Sequence, residues 1–223
     1  MQCGFDLIIF DCDGVLVDSE PVANAIFARV LEEECGLRFS LEEMFDRFVG
    51  RSQAQCLQIV EDLTGETSPS GLWHRYKREI NLALADSVEA VDGIESVLQH
   101  IDIPYCVASS GSHDKMKTTL GKTGLAKYFN DNIFSSSEVA QGKPHPDIYL
   151  YAAESMGVLE PTHCLVIEDS PIGVQGAVAA GMTVFGYAEL IKAEKLLAAG
   201  AHLTFDKMDN LFSEIRGYQK DRT

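Results

Sequence analysis

The sequence predicts an α/β protein, a doubly wound and mostly parallel sheet with a separate helical domain inserted into it. Short, nearly uninterrupted apolar runs recur along the chain, as strands covered on both faces require. Longer amphipathic stretches with recognisable ends separate them, which is the alternation of a doubly wound fold. A third observation predicts the insertion: over residues 19–86 the alternation stops and only helical patterns occur.

Taken in order, the first strand is expected at residues 5–10, FDLIIF, with Asp11 and Asp13 directly against its carboxyl end and Gly14 behind them. Within the helical stretch, Ser40 and Glu43 form a capping box that opens one helix. Cys35-Gly36 and Thr64-Gly65 close others. Trp73 and Tyr76 fall at helical spacing and suit packing inside the insert, while Glu32-Glu33-Glu34 suits a solvated helix face. Alternation resumes near residues 91–93. Strands follow at residues 105–108, 164–167 and 183–187, with weaker ones near Ile133 and at 202–205. Ser170-Pro171 reads as an N-cap and first-turn proline. Gly124, Gly157, Gly181 and Gly200 stand where glycines end helices. The tail, residues 217–223, is expected to fray. The expected division is an α/β core of residues 1–16 and 90–223 and a helical cap of residues 17–89.

A chain of 223 residues with 46% hydrophobic content can fill one large core and a smaller one. It carries no internal repeat and no low-complexity segment. Its net charge of -16 argues against nucleic acid and anionic membranes as partners, so any anionic ligand must be held locally. Cys3, Cys12, Cys35, Cys56, Cys106 and Cys164 are scattered without a CxxC pair, as in a reduced intracellular chain. No signal-peptide pattern and no membrane-spanning apolar run occurs, so a cytoplasmic protein is expected, as a monomer or weak homodimer.

Open α/β sheets bind ligands beyond the carboxyl ends of their strands. Asp11 and Asp13 follow the first strand, Ser109-Ser110-Gly111-Ser112 the second, and Glu168-Asp169 a later one. Gly142-Lys143-Pro144-His145-Pro146 precedes a helix, and Lys143 is expected to be the only nearby cation. Four crowded carboxylates need a cation to neutralise them. All-oxygen donors favour a hard ion such as Mg²⁺. A serine-rich loop at a helix start can cradle an anion. Together they suggest phosphoryl transfer. Each piece alone has a plainer reading: a turn cap for the first acids, an N-cap run for the serines, a surface lysine, a helix-start acidic pair. A calcium loop fails because Gly14 arrives before a third acid. The histidines, His145 included, show no metal-ligand spacing. A phosphoacceptor signalling domain uses similar ingredients, but it places its acidic pair after the first strand and the acceptor aspartate in mid-chain.

DCDGVLVDSE, VASSGS, GKPHPD and VIEDS, in that order, resemble the four motifs of the haloacid dehalogenase-like (HAD) superfamily of phosphatases. The likeness is to the subfamily with a helical cap after the first strand, similar to β-phosphoglucomutases and sugar-phosphate phosphatases, and it spans the chain. It implies that Asp11 is the nucleophile forming an aspartyl-phosphate, and that Asp13 is the general acid and then the base. Ser109 and the Ser110 N–H would hold phosphoryl oxygens. Lys143 would pair with the phosphoryl group and Asp11. Asp11, the Asp13 carbonyl, Glu168 and Asp169 would hold Mg²⁺, Glu168 either directly or through water. Residues 48–52 fall at the cap's specificity loop, where Arg51 would either reach a carboxylate or hydroxyl of a small phosphorylated metabolite or stand in solvent at a helix start. β-Phosphoglucomutases place a histidine five residues after the acid that begins the cap; the corresponding residue here is Ala23, which favours hydrolysis over mutase activity. A phosphomutase stays open as the alternative and a phosphoacceptor signalling domain as a further one, with metal-free haloacid dehalogenation remoter still. CVASSGSHDKMKTTLGKTGLAKYF looks like the same stretch of bacterial 6-phosphogluconate phosphatases, pointing to a sugar or sugar-acid phosphate.

Overall fold

The computed structural model describes residues 4–49, 51 and 53–220. Cys3, Gly50, Ser52 and residues 221–223, part of the expected tail, lie outside the described residues. The chain forms two units, one of residues 1–18 and 89–223 and one of residues 19–88.

The first unit is built on a six-stranded parallel sheet. In chain order the strands of this unit are β1 (Leu7–Phe10), β2 (Val17–Asp18), β3 (Glu89–Ala90), β4 (Tyr105–Ser109), β5 (Ile133–Ser135), β6 (Cys164–Glu168), β7 (Thr183–Tyr187) and β8 (Leu203–Phe205). All but β2 and β3 belong to the sheet, in the order β5-β4-β1-β6-β7-β8. Every side chain of β1 is fully buried, which explains its unbroken apolar run. Burial of each such residue contributes roughly 1.5–3 kcal/mol. Flanked by β4 and β6, β1 lies where the strand order reverses, so the carboxyl ends of all three are neighbours. Ile8 pairs with Tyr105 on one side and Leu165 on the other.

The expected strand at 5–10 begins only at Leu7, because the Asp6 N–H donates instead to His163 O at 2.9 Å. The antiparallel pair of β2 and β3, where the chain leaves and re-enters the unit, was absent from the sequence reading. Two residues are too few to carry a period.

Helices of the second unit are α1 (Glu20–Cys35), α2 (Leu41–Phe48), α3 (Gln53–Thr64) and α4 (Leu72–Ser87). The capping box closes as expected: Ser40 Oγ accepts from the Glu43 N–H at 3.2 Å and Glu43 accepts from the Ser40 N–H at 2.8 Å. Phe27, Leu31, Met44, Phe48, Val60 and Leu72 form its core, with Trp73 and Tyr76 packed on Phe27 at ring distances of 5.7 and 4.8 Å. The acidic run is not simply solvated. Arg75 hydrogen-bonds Glu33, Glu34 and Glu79, and Arg38 pairs with Glu32.

Back in the first unit, the remaining helices are α5 (Ile94–His100), α6 (His113–Lys122), α7 (Ala126–Phe129), α8 (Asp147–Ser155), α9 (Pro171–Ala179), α10 (Ala193–Ala198) and α11 (Leu211–Lys220). The tail does not fray at Gly217, since α11 continues to Lys220 and the Tyr218 ring packs on Phe185 at 5.2 Å. Apolar anchoring outweighs the loss of order at a chain end. Among the described residues no helix is long and apolar enough to cross a membrane.

Candidate functional site

Asp11 leaves the end of β1 still bound to the sheet, its N–H donating to Ile167 O at 3.0 Å. The residue is 7% exposed. The chain then turns sharply, with Gly14 N–H donating to Val17 O at 2.8 Å. Gly14 takes φ +79, and a Cβ there would overlap the Asp169 carboxylate. Glycine is therefore required twice, by conformation and by space.

Lys143, in the loop before α8, is not a surface lysine. Its ammonium donates to Asp11 Oδ1 and Glu168 Oε1, both at 2.6 Å, and its side chain is 3% exposed. It also lies 5.0 Å from the Tyr149 ring centroid, near enough for a cation–π contribution. Glu168 is fully buried at the end of β6. Its Oε1 also accepts from Tyr149 OH at 3.0 Å, and its Oε2 from the Ser170 N–H at 2.8 Å and Ser170 Oγ at 2.9 Å. Ser170 thus does more than the N-cap duty expected of it, although it performs that too, accepting from the Gly173 N–H at 3.1 Å. A Cβ on Gly173 would overlap Glu168, so the start of α9 is shaped to this carboxylate.

Asp11, Glu168 and Asp169 each offer an oxygen within 4.8 Å of the others. Burial pushes the Asp11 carboxyl up to about 7; Lys143 opposes this, while Glu168 and Asp13 add to it. Burial disfavours the Lys143 charge, but Asp11 and Glu168 overcome it and hold the lysine well above its usual range. Hard oxygen donors, crowded and incompletely neutralised by one lysine, fit Mg²⁺. The Asp13 side chain stands outside this trio.

Asp13 meets a second cation that the sequence reading missed. Lys115 Nζ donates to Asp13 Oδ2 at 2.6 Å, so the expectation of Lys143 as the only cation near the acids is corrected. The available signal was its position three residues after Ser112, the N-cap of α6, whose hydroxyl accepts from the Lys115 N–H at 3.3 Å. That places it in the first turn of a helix starting at the sheet rim. A long flexible side chain reaches the acid from there, which residue spacing alone does not reveal.

The serine loop sits beside these groups at the end of β4. Ser109 is 1% exposed and its Oγ accepts from the Gly111 N–H at 3.0 Å, whereas Ser110 is exposed. Residues at and just after the end of β5, also missed, brace the loop: Ser135 Oγ donates to Gly111 O at 2.7 Å and Ser136 Oγ to Ser109 O at 3.2 Å. Glu138 accepts from the Ser135 N–H at 2.7 Å and lies 2.8 Å from His113 Nε2. Arg51 belongs to the helical unit, where it is exposed and its N–H donates to Phe48 O at 3.3 Å. Its neighbours Gly50 and Ser52, part of the expected specificity loop, are outside the described residues.

Among the described residues the cysteines are unsuited to nucleophilic work. Cys12, Cys35, Cys56, Cys106 and Cys164 are free, and burial raises each thiol above its ordinary range.

Comparison with known proteins matches residues 5–181 to the model of the haloacid dehalogenase-like hydrolases. The chain is 34% identical over 181 residues to the 6-phosphogluconate phosphatase of Escherichia coli K12, covering 81% of each protein. It is 31% identical over 176 residues to the fructose-1-phosphate phosphatase YqaB of the same organism, covering 78% of this chain and 92% of that one. Among solved structures, a haloacid dehalogenase-like protein of unknown function from Agrobacterium tumefaciens C58 superposes with TM-score 0.90 at 36% identity, over 96% of this chain and 99% of that one.

Proposed function

The chain belongs to the haloacid dehalogenase-like hydrolase family, and on that footing we propose that it is a Mg²⁺-dependent phosphatase of small sugar or sugar-acid phosphates, working through an aspartyl-phosphate on Asp11. The observation that carries this reading is the buried Asp11 carboxylate, gripped by Lys143 at 2.6 Å beside Glu168 and Asp169. The hydrogen bond between Lys143 and Asp11 supports a fixed, oriented nucleophile. The names of the similar phosphatases support the substrate class, 6-phosphogluconate among its candidates.

In the first half-reaction an Asp11 oxygen attacks phosphorus and the bond to the sugar oxygen breaks, while Asp13 gives its proton to that oxygen. In the second, water attacks the same phosphorus and gives a proton to Asp13. Inorganic phosphate leaves and the Asp11 carboxylate is restored. Ser109 and the Ser110 N–H hold the equatorial oxygens in both, and Lys143 offsets their charge. Asp11, Asp169 and the Asp13 carbonyl would hold Mg²⁺, with Glu168 acting through water because its oxygens already accept from Lys143, Tyr149 and Ser170. Bound there, Mg²⁺ would neutralise the carboxylates and the charge developing on the phosphoryl group. The units divide the labour as an α/β catalytic core and a cap that selects the leaving group, with Arg51 assigned to that selection.

Phosphate release across a panel of sugar and sugar-acid phosphates with Mg²⁺ tests the reading, with Asp11→Asn as the control. At least one compound should yield phosphate with the parent and none with the variant. Isomer formation without release would mean a phosphomutase, and activity unaffected by EDTA would remove the metal from the scheme.

A further inference from the structure

Lys115 is positioned with unusual care for a lysine in the first turn of a helix. Its Nζ donates to Asp13 Oδ2 at 2.6 Å, and the two side chains are 23% and 26% exposed. Its stem passes over Gly111, where an added Cβ would come within 3.4 Å of Lys115 Cδ. The loop beneath is pinned by Ser135 and Ser136 through Gly111 O and Ser109 O. Both side chains are partly covered, and the consequence of the pair is placement. It fastens the carboxylate after β1 to the loop after β4.

We propose that Lys115 is a positioning residue: by holding Asp13 Oδ2 against the serine loop, it aims the carboxyl group at the leaving oxygen. The role rests on the phosphatase reading above, in which Asp13 passes a proton to the sugar oxygen as its bond to phosphorus breaks. Proton transfer needs the donor within hydrogen-bond reach of that oxygen, and an acid free to swing away is out of reach for much of the time. Once the proton has gone, the same ammonium keeps the carboxylate in place to accept the next one from water. Lys115 itself gains and loses nothing.

The test compares kcat/KM for two leaving groups. One substrate is the sugar phosphate hydrolysed fastest in the panel, whose alkoxide must be protonated to leave. The other is p-nitrophenyl phosphate, whose phenolate leaves without a proton. In Lys115→Met the sugar phosphate should lose at least about tenfold more than the aryl phosphate, a fraction of what an acid catalyst contributes. Lys115→Arg, which can still reach Asp13, should recover most of the difference. Equal losses on both substrates, or no loss on either, would overturn the proposal. Asp13→Asn is measured alongside: if it shows leaving-group selectivity and Lys115→Met does not, only the placement role falls. If Asp13→Asn shows none, the acid assignment itself falls. Because the ratio is internal to each preparation, a partly misfolded variant does not distort it, and Lys115→Gln replaces Lys115→Met should the latter fail to fold.

Discussion

Asp11 and Lys143 are each unfavourable where they stand without the other. Burial pushes the carboxyl up to about 7, and it would equally suppress the lysine charge were two carboxylates not facing it. Asp11→Asn keeps the shape and, on the proposed mechanism, removes the attacking oxygen, so turnover of every phosphomonoester should fall by at least about 10³-fold, read as phosphate release. Lys143→Ala strands two buried carboxylates and should cost about 3–5 kcal/mol in metal-free denaturant unfolding. The same change should lower kcat by about 10²-fold or more. The acids were legible in the sequence because they abut apolar runs at strand ends. Lys115 and the Ser170 contact to Glu168 were not, since which carboxylate a long or rotatable side chain finds is decided by tertiary packing.

At the scale of elements, the start of α9 shows how closely backbone is fitted to chemistry. Gly173 faces Glu168 with no room for a methyl group. Gly173→Ala should destabilise the fold by about 1–3 kcal/mol in chemical denaturation, as overpacking does. It should also reduce activity by displacing Glu168, whereas a methyl at the open position Gly121, also helical, should do neither. The strands of the parallel sheet were legible because continuous burial writes continuous apolar runs, and Ser40 and Ser170 announced their helices through local hydrogen bonds. The pair of β2 and β3 and the helical tail escaped, the first for want of length and the second because Tyr218 is held by Phe5 and Phe185, far away in sequence.

For the whole molecule, the proposed function links metal, proton and stability through Asp11. Its folded pKa is raised from 3.8 to about 7, so between those values the folded state holds the proton more than the unfolded one does. Stability then falls as pH rises through that window, and the Asp11 contribution is lost above about 7. Mg²⁺ requires the carboxylate, so its stabilising effect should run the opposite way and grow with pH. The rise in Tm on adding Mg²⁺ should therefore be larger at about pH 8 than at about pH 5.5. An equal rise at both would detach the metal from Asp11. The doubly wound architecture was legible from alternation alone, since a sheet covered on both faces demands it.

The most direct measurement traps the intermediate. The parent enzyme turning over a radiolabelled sugar phosphate with Mg²⁺ is quenched in acid; one portion is counted for protein-bound label, and the other is reduced with borohydride, digested and read by mass spectrometry. The account predicts substrate-dependent label on the protein in the unreduced portion and homoserine at position 11 in the reduced one, since reduction of the acyl phosphate releases its phosphate. Steady release of phosphate with no label on the protein, or with the reduced residue elsewhere than position 11, would contradict it.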